Sequence, residues 1–136
     1  MTYRLYDLNE DERYGERQEL EEKLLYRRIV KWDEDKLVLD NGAVVTLETS
    51  EWDCCASAYG RFSNVKLDAV ITNIEIGEQV EVPDDDTRVN QVKIFIYHNL
   101  NPIAQAEMTA DAGNGGYYYS VGSMVIDKVH FPVVEA

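Results

Sequence analysis

The pattern of polar and apolar positions predicts a helix at the start of the chain. Residues 8–25 are rich in Glu, Arg and Lys and contain few apolar positions, and Asn9 is followed three residues later by Glu12 as in a capping box. Charges on such a segment are typical of a solvated helix face. We therefore predict an acidic N-terminal helix over 8–25, weakened at Gly15 by about 1 kcal/mol relative to Ala.

From residue 26 the pattern changes to that of β-strands. Three short runs of β-branched and apolar residues surround Trp32, Val38 and Val45, and the pair Asn41-Gly42 separates the second run from the third. An Asn-Gly pair is a strong hairpin signal, because both central positions of a type I′ turn need a positive φ. These runs predict a three-stranded antiparallel meander.

Further strand-like segments follow. Residues 65–82 alternate between apolar and polar, with a break near Asn73 or Gly77, and 92–97 is rich enough in β-branched and aromatic residues for a buried strand. Two more segments, 103–108 and 124–131, complete the set. The expected total is about seven strands.

Together these elements predict an α+β fold in which the N-terminal acidic helix packs on an antiparallel sheet or partial barrel. We expect a single domain over 1–136, with 8–25 as a helical extension and 26–131 as the β-rich core. The strand phases place eight residues mostly inside: Val38, Val45, Leu47, Ile71, Ile74, Ile94, Ile96 and Val121.

Composition restricts the classes of partner. The chain has 26 acidic and 13 basic residues and a formal net charge of −13, which repels a phosphate backbone and an anionic membrane surface. We therefore expect no direct contact with nucleic acid or membrane. The chain has no apolar run of about 20 residues and no signal-peptide pattern at its start, so we expect a cytoplasmic protein.

The stretch Asp53-Cys54-Cys55 holds both cysteines and is the first candidate site, a functional corner. It could be a metal site, a redox pair or a structural corner. Neighbours on a strand point to opposite faces, and two thiolates supply only half of a zinc site, so Asp53, His98 or His130 would have to complete it. We favour a structural corner with reduced, metal-free thiols, at least one of them buried, and with Asp53 capping the turn.

The remaining chemistry-bearing residues form no known motif. A nucleophilic site that joins Cys55 to His98 or His130 stays open, since such sites assemble across the sequence. We predict neither catalytic residues nor a cofactor. The acidic run at 84–86 is typical of a solvated loop, and 113–116 of a turn.

The run Tyr117-Tyr118-Tyr119 is the second candidate site. Strand alternation would place Tyr118 on the face opposite its two neighbours, so at least one ring should be exposed. Exposed tyrosines are enriched at protein interfaces. We therefore treat these three residues as a candidate interface.

A family resemblance rests on these elements. A hairpin with an Asp-Asn-Gly turn, the Asp53-Cys54-Cys55 element and a later Gly116-Tyr117-Tyr118 turn resemble a family of small proteins of unknown function from bacteriophages and their bacterial, often actinobacterial, hosts. The resemblance covers roughly residues 29–126. It implies a small β-rich domain of phage origin, which would act in the cytoplasm of the host cell.

Three hypotheses of function follow. The first is a non-enzymatic phage accessory protein that binds a host or phage protein, with homo-oligomer formation left open. The second is a small catalytic, ligand-binding or metal-binding domain that uses the corner at Asp53, Cys54 and Cys55. The third is an acidic mimic of nucleic acid, which the basic residues interspersed in the N-terminal segment weaken.

Overall fold

The computed structural model describes residues 8–136 and builds them mostly from β-strands. This part of the chain contains one short α-helix and eleven strands, with these bounds: β1 Arg13–Tyr14, α1 Arg17–Leu24, β2 Ile29–Trp32, β3 Lys36–Leu39, β4 Val44–Trp52, β5 Ser57–Ser63, β6 Asn73–Ile76, β7 Val80–Val82, β8 Val89–His98, β9 Asn101–Asp111, β10 Ser120–Ile126 and β11 Val129–Glu135.

The strands form two sheets. The first has six strands in the order β1-β11-β10-β4-β3-β2, and the second has the order β5-β9-β8-β6, with β7 also pairing with β8. All pairs are antiparallel except β1 with β11. The predicted α+β fold with its acidic helix and about seven strands is therefore wrong, because the helix has only eight residues and two sheets make up most of the protein.

The core lies between the two sheets. Apolar side chains from both sheets and from the helix residues Leu20 and Leu24 form one buried cluster, as expected when two sheets each bury one face. Of the eight residues predicted to be mostly inside, six are buried and two, Val38 and Leu47, are half-buried. Six of the eight predictions are therefore confirmed, but the predicted phase of β3 is wrong, because Leu37 and Leu39 are buried and Val38 lies between them on the other face.

The segment before the helix is not helical. Residues 13 and 14 form an edge strand beside β11, where the Gly15 N–H also donates to the His130 carbonyl at 3.0 Å. A Cβ on Gly15 would lie 2.5 Å from the Phe131 ring and 2.6 Å from Val129, so only glycine brings the chain this close to β11. Tertiary packing thus overrides the helical pattern, and the predicted helix over 8–25 shrinks to 17–24.

The predicted meander is confirmed, but its turn is of another type. Strands β2, β3 and β4 pair consecutively around the Asn41-Gly42 turn. Only Gly42, at φ 86°, has a positive φ, so the turn is not type I′. Such a two-residue turn, with φ of 53° and 66°, occurs instead at Asp127-Lys128 and divides the predicted strand 124–131 into β10 and β11.

The region predicted as one broken strand at 65–82 is more irregular than expected. Only β6 and β7 come from it, and the residues before Asn73 form an irregular connection. That connection is tied to the first sheet by an isolated bridge between Arg28 and Val70. Ile71 is buried from this connection, so its side chain enters the core without a strand.

Three connections emerge at one end of the protein. Trp52 pairs with Ser120, and Ser57 pairs with Asp111, which also pairs with Val89. The strand registers therefore place the segments 53–56, 83–88 and 112–119 together. We call these three segments the corner end. The turn at Asn99-Leu100, which joins β8 to β9, lies at the opposite end of the second sheet.

Candidate functional site

The backbone of the first candidate site forms a tight corner between β4 and β5. The Asp53 carbonyl accepts the Ala56 N–H at 2.8 Å, and the Asp53 N–H donates to the Tyr119 carbonyl at 2.9 Å. The second of these bonds joins the two candidate sites, which are more than 60 positions apart in the sequence. Sequence reasoning named both sites but gave no sign that they meet.

The two cysteines differ from the prediction. Cys54 and Cys55 are both exposed, so the prediction that at least one is buried is wrong. The structure joins their Sγ atoms as a vicinal disulfide, where the sequence analysis expects reduced thiols. Cys54 has a φ of 34°, outside the range of a strand, so the alternation that would send the two side chains to opposite faces does not apply here.

Asp53 itself is buried. Only 7% of the residue is exposed, and within residues 8–136 its Oδ1 has no hydrogen-bond partner. The prediction that its side chain caps the turn is wrong, since the backbone carbonyl closes the turn and no helix follows. A buried carboxylate oxygen without a partner lowers the stability of the fold. Stability alone therefore does not explain an aspartate at this corner.

The three tyrosines precede β10 and are not part of a strand. Tyr117 is 87% exposed, whereas Tyr118 and Tyr119 are half-buried, so the prediction of at least one exposed ring is confirmed. The rings of Tyr117 and Tyr118 meet edge to face, with centroids 6.1 Å apart. The Tyr119 hydroxyl donates to the Glu135 carboxylate at 3.3 Å. The Tyr117 ring is thus exposed to solvent, beside the half-buried Tyr118 and Tyr119.

A glycine lets the corner at 53–55 contact the segment 112–119, which carries the three tyrosines and which we call the tyrosine segment. A Cβ on Gly113 would lie 3.0 Å from the carbonyl group of Cys55 and 3.0 Å from the Tyr118 ring. Its backbone, at φ 77° and ψ −169°, is in a region that is essentially restricted to glycine. Gly113 therefore fixes the distance between the two candidate sites.

The acidic loop is the third part of the corner end. Asp84 accepts backbone N–H groups from Asp86 and Thr87 at 2.9 and 3.2 Å, and the Gly115 N–H donates to the Asp86 carbonyl at 2.6 Å. The Asp111 carboxylate accepts both the Thr87 hydroxyl and the Gly113 N–H. The loop is solvated as predicted, since the acidic residues 84–86 are exposed, and it is also bonded to the tyrosine segment.

The two histidines lie elsewhere. His98 is at the opposite end of the second sheet, where its Nδ1 donates to the Val70 carbonyl at 2.7 Å. The hydrogen bonds of His130 go to Ser50 and Glu12. The structure therefore does not bring either histidine to Cys55.

Sequence reasoning missed a buried polar row around His130. Its Nδ1 lies 2.8 Å from the Ser50 hydroxyl, which lies 2.5 Å from the Ser123 hydroxyl, and its Nε2 contacts the Glu12 carboxylate. The Ser50 hydroxyl donates to the Ser123 hydroxyl, and the hydroxyl, imidazole and carboxylate groups follow one another in that order along the row. We call Ser50, Ser123, His130 and Glu12 the buried polar row.

This row has the order of a nucleophilic triad without its accessibility. Ser50 is 1% exposed and His130 is 2% exposed. A nucleophile must reach the reacting atom of a substrate, and the Ser50 hydroxyl is covered. Beside the row, the Tyr14 hydroxyl contacts the Glu51 carboxylate and the Tyr14 ring packs edge to face on His130. The arrangement suits a structural role in the core rather than a reactive site.

A separate depression lies on the outer face of the second sheet. It has a volume of about 320 Å³ and is lined by charged side chains that include Arg61, Lys93 and Glu107. Glu107 is directly opposite Arg61 on one side and Lys93 on the other. The carboxylate therefore offsets the two cations, and no residue of either candidate site lies there.

Two further features concern the described residues. Within 8–136 no three His, Cys, Asp or Glu side chains lie together in a way that could hold a metal ion. The same part of the chain has no helix of the length and apolarity that a membrane span requires. The expectations of no metal and no cofactor stay predictions.

Comparison with known protein families gives one match. Residues 22–125 match a domain of unknown function, DUF7448. The chain belongs to the DUF7448 family. The match does not by itself show a phage or actinobacterial origin, nor the two short motifs Asp53-Cys54-Cys55 and Gly116-Tyr117-Tyr118. These parts of the resemblance remain predictions. Among curated proteins and among solved structures, no significant match is found.

The matched range separates the two polar regions of this DUF7448 chain. All three segments of the corner end lie inside residues 22–125, whereas Glu12 and His130 of the buried polar row lie outside it. The corner end is therefore part of the domain that defines the family. The buried polar row depends on segments at either end of that domain.

Proposed function

We propose that this chain is a non-enzymatic protein-binding domain and that the corner end is its contact surface. The observation that carries the proposal is the convergence of two separately predicted sites, joined by the hydrogen bond from Asp53 to Tyr119. Loops held at one end of a rigid sheet scaffold are the usual place for binding residues. The strand registers supply that scaffold here.

The chemistry of the corner end favours a basic partner surface. Tyr117 offers an exposed ring face, and Asp85 and Asp86 are exposed carboxylates of the neighbouring loop. An aromatic face attracts Lys and Arg side chains, and carboxylates add charge complementarity. The formal net charge of −13 attracts such a partner over a longer range.

The hydrogen bonds of the corner end support binding at a modest entropic cost. Gly115 is bonded to Asp86, and Asp111 holds both Thr87 and Gly113. Association costs free energy for every loop that must be ordered. A surface whose loops are already bonded to one another avoids part of that cost.

The other two hypotheses have less support. Catalysis at the corner would need a base, and both histidines make their hydrogen bonds elsewhere. Mimicry of nucleic acid would need an unbroken acidic face, yet Arg17 pairs with Glu21 at 3.2 Å and Arg27 with Asp40 at 3.6 Å. We retain phage origin, a cytoplasmic location and a host or phage partner as parts of the proposal.

A matched pair of variants tests the proposal. Tyr117 and Leu100 are both highly exposed, at 87% and 91%, and lie at opposite ends of the protein. With a partner purified on the immobilised chain, we expect Tyr117→Ala to weaken the affinity by about tenfold or more, as for an aromatic hot spot, and Leu100→Ala to leave it unchanged.

A second arm tests the charge. Asp85→Asn combined with Asp86→Asn should slow association and reduce its salt dependence, since exposed charges act mainly on the association rate. Equal affinities for the parent chain and Tyr117→Ala, or a larger loss in Leu100→Ala, would contradict the assignment of the corner end.

A further inference from the structure

The proposed contact with a partner does not use the sulfur chemistry of the cysteine pair. Both side chains are exposed, they are adjacent in sequence, and the positive φ of Cys54 takes the pair out of the strand geometry that would separate them. The structure places the two Sγ atoms together. Two accessible sulfur atoms so close can react in succession with the same reagent.

The surroundings of the pair hold its backbone in place on both sides. Asp53, immediately before it, is bonded through its backbone to Tyr119 and Ala56. Gly113 lies against the carbonyl group of Cys55. Because the flanking atoms are fixed, the second thiol stays near the first sulfur, which raises its effective concentration far above that of any thiol in solution.

We propose that Cys54 and Cys55 form a reversible dithiol–disulfide site that small disulfides oxidise and small thiols reduce. In the first step one cysteine thiolate attacks a sulfur of the small disulfide, which gives a mixed disulfide and releases one small thiolate. In the second step the neighbouring thiolate attacks the cysteine sulfur of that mixed disulfide and releases the second small thiolate.

The balance of this reaction is complete. The pair loses two electrons to the small disulfide, the two thiol protons pass to the two released thiolates, and one S–S bond forms for the one that breaks. In a reducing compartment the pair rests as a dithiol, because glutathione and thioredoxin systems keep thiols reduced there. The site concerns the cysteines alone, so it goes beyond the proposed function.

Mass spectrometry of the reduced full-length chain tests the proposal, with oxidised glutathione as the probe. We expect the parent chain to lose the mass of two hydrogen atoms as a monomer and to regain it with dithiothreitol. A peptide map should place the new bond between Cys54 and Cys55. The variants Cys54→Ser and Cys55→Ser should stop at the mixed disulfide and gain the mass of one glutathionyl group.

Three results would overturn the proposal. They are a parent chain that keeps one or two glutathionyl groups, a parent chain that forms only links between chains, and a parent chain that does not react. The variants are surface changes, and matching circular dichroism spectra will show that they fold like the parent. The test needs no partner, so its outcome is independent of whether the corner end binds a protein.

Discussion

At the corner end, sulfur and phenol groups lie on loops and reach the surface, whereas the hydroxyl and imidazole groups of the buried polar row lie beneath it and its Glu12 carboxylate is half-buried. The row resembles a catalytic triad more closely than the corner does, because Ser50, His130 and Glu12 contact one another in that spatial order. Its two central residues are nevertheless covered. Residue type thus suggests a chemistry, while exposure decides whether a partner can reach it.

The largest expected effect is on stability at the buried polar row. His130→Ala removes one partner of the Ser50 hydroxyl and one partner of the Glu12 carboxylate and leaves a cavity, so we expect a loss of about 4 kcal/mol in the free energy of unfolding. Tyr117→Ala, an exposed truncation at the corner end, should change it by about 0.5 kcal/mol or less. Denaturant titrations measure both changes in the free energy of unfolding, with the same dependence on denaturant concentration expected for each chain.

The outcome decides whether the two regions differ as described. A small loss in His130→Ala, similar to that in Tyr117→Ala, would mean that the row contributes little to folding. The comparison would then fail, and the row would need a functional explanation.

An intermediate effect should appear within the corner end itself. Gly113→Ala puts a side chain into a backbone region that is essentially restricted to glycine and against Cys55, so we expect a loss of about 2 to 3 kcal/mol. Gly115→Ala is the matched control, because its φ of 71° is also positive but no atom lies within 4 Å of the added Cβ. It should cost about 1 kcal/mol.

Thermal or denaturant unfolding compares the two variants, one with a glycine-restricted backbone against Cys55 and one with a left-handed backbone in open space. If Gly115→Ala is as costly as Gly113→Ala, the contact between Gly113 and Cys55 does not hold the corner end together. The two candidate sites would then be neighbours without being coupled.

The smallest effect concerns the exposed ion pair between Asp11 and Lys128, next to the edge strand β1. A hydrogen bond from Lys128 and its positive charge hold the pKa of the Asp11 carboxyl below its ordinary value of 3.8. A lowered carboxyl pKa contributes stability above the ordinary pKa, and that contribution is lost as the pH falls through the lowered one. The pair is exposed, so the contribution is small.

We therefore expect Lys128→Ala to unfold slightly earlier than the parent near neutral pH and the difference to shrink below about pH 4. Lys66→Ala, at an exposed lysine of the irregular connection, should show no such pH dependence. Unfolding midpoints across the acid range provide the measurement. A difference in Lys128→Ala that grows towards acid pH would show the opposite sign of linkage.

Local patterns predicted the strands well where alternate residues are buried against the other sheet, as in β8. The meander around Asn41-Gly42 and the burial of Ile94 and Ile96 followed from this alternation. The turn at Asp127-Lys128 could not be predicted, since neither residue type favours a positive φ as strongly as glycine. The helix was overextended because the pattern of 8–16 does not show that β11 is available for pairing.

The candidate site was predicted in its parts and not as a whole. The residue types of the cysteine corner and the tyrosine run drew attention to both, but their contact depends on the register between β4 and β10. The buried polar row was missed for the same reason, since Glu12, Ser50 and His130 come from three distant segments. No local spacing contains that information.

The most direct test of the central claim, that the corner end contacts a basic partner surface, is site-specific photocrosslinking in extract of the cells that naturally make the chain. A benzophenone side chain is placed at Tyr117 in one sample and at Leu100 in the other. We predict one defined adduct at position 117, mapped to a Lys- and Arg-rich surface of the partner and weakened by salt. The same adduct at position 100, or an adduct that maps to an acidic or apolar surface, would contradict it.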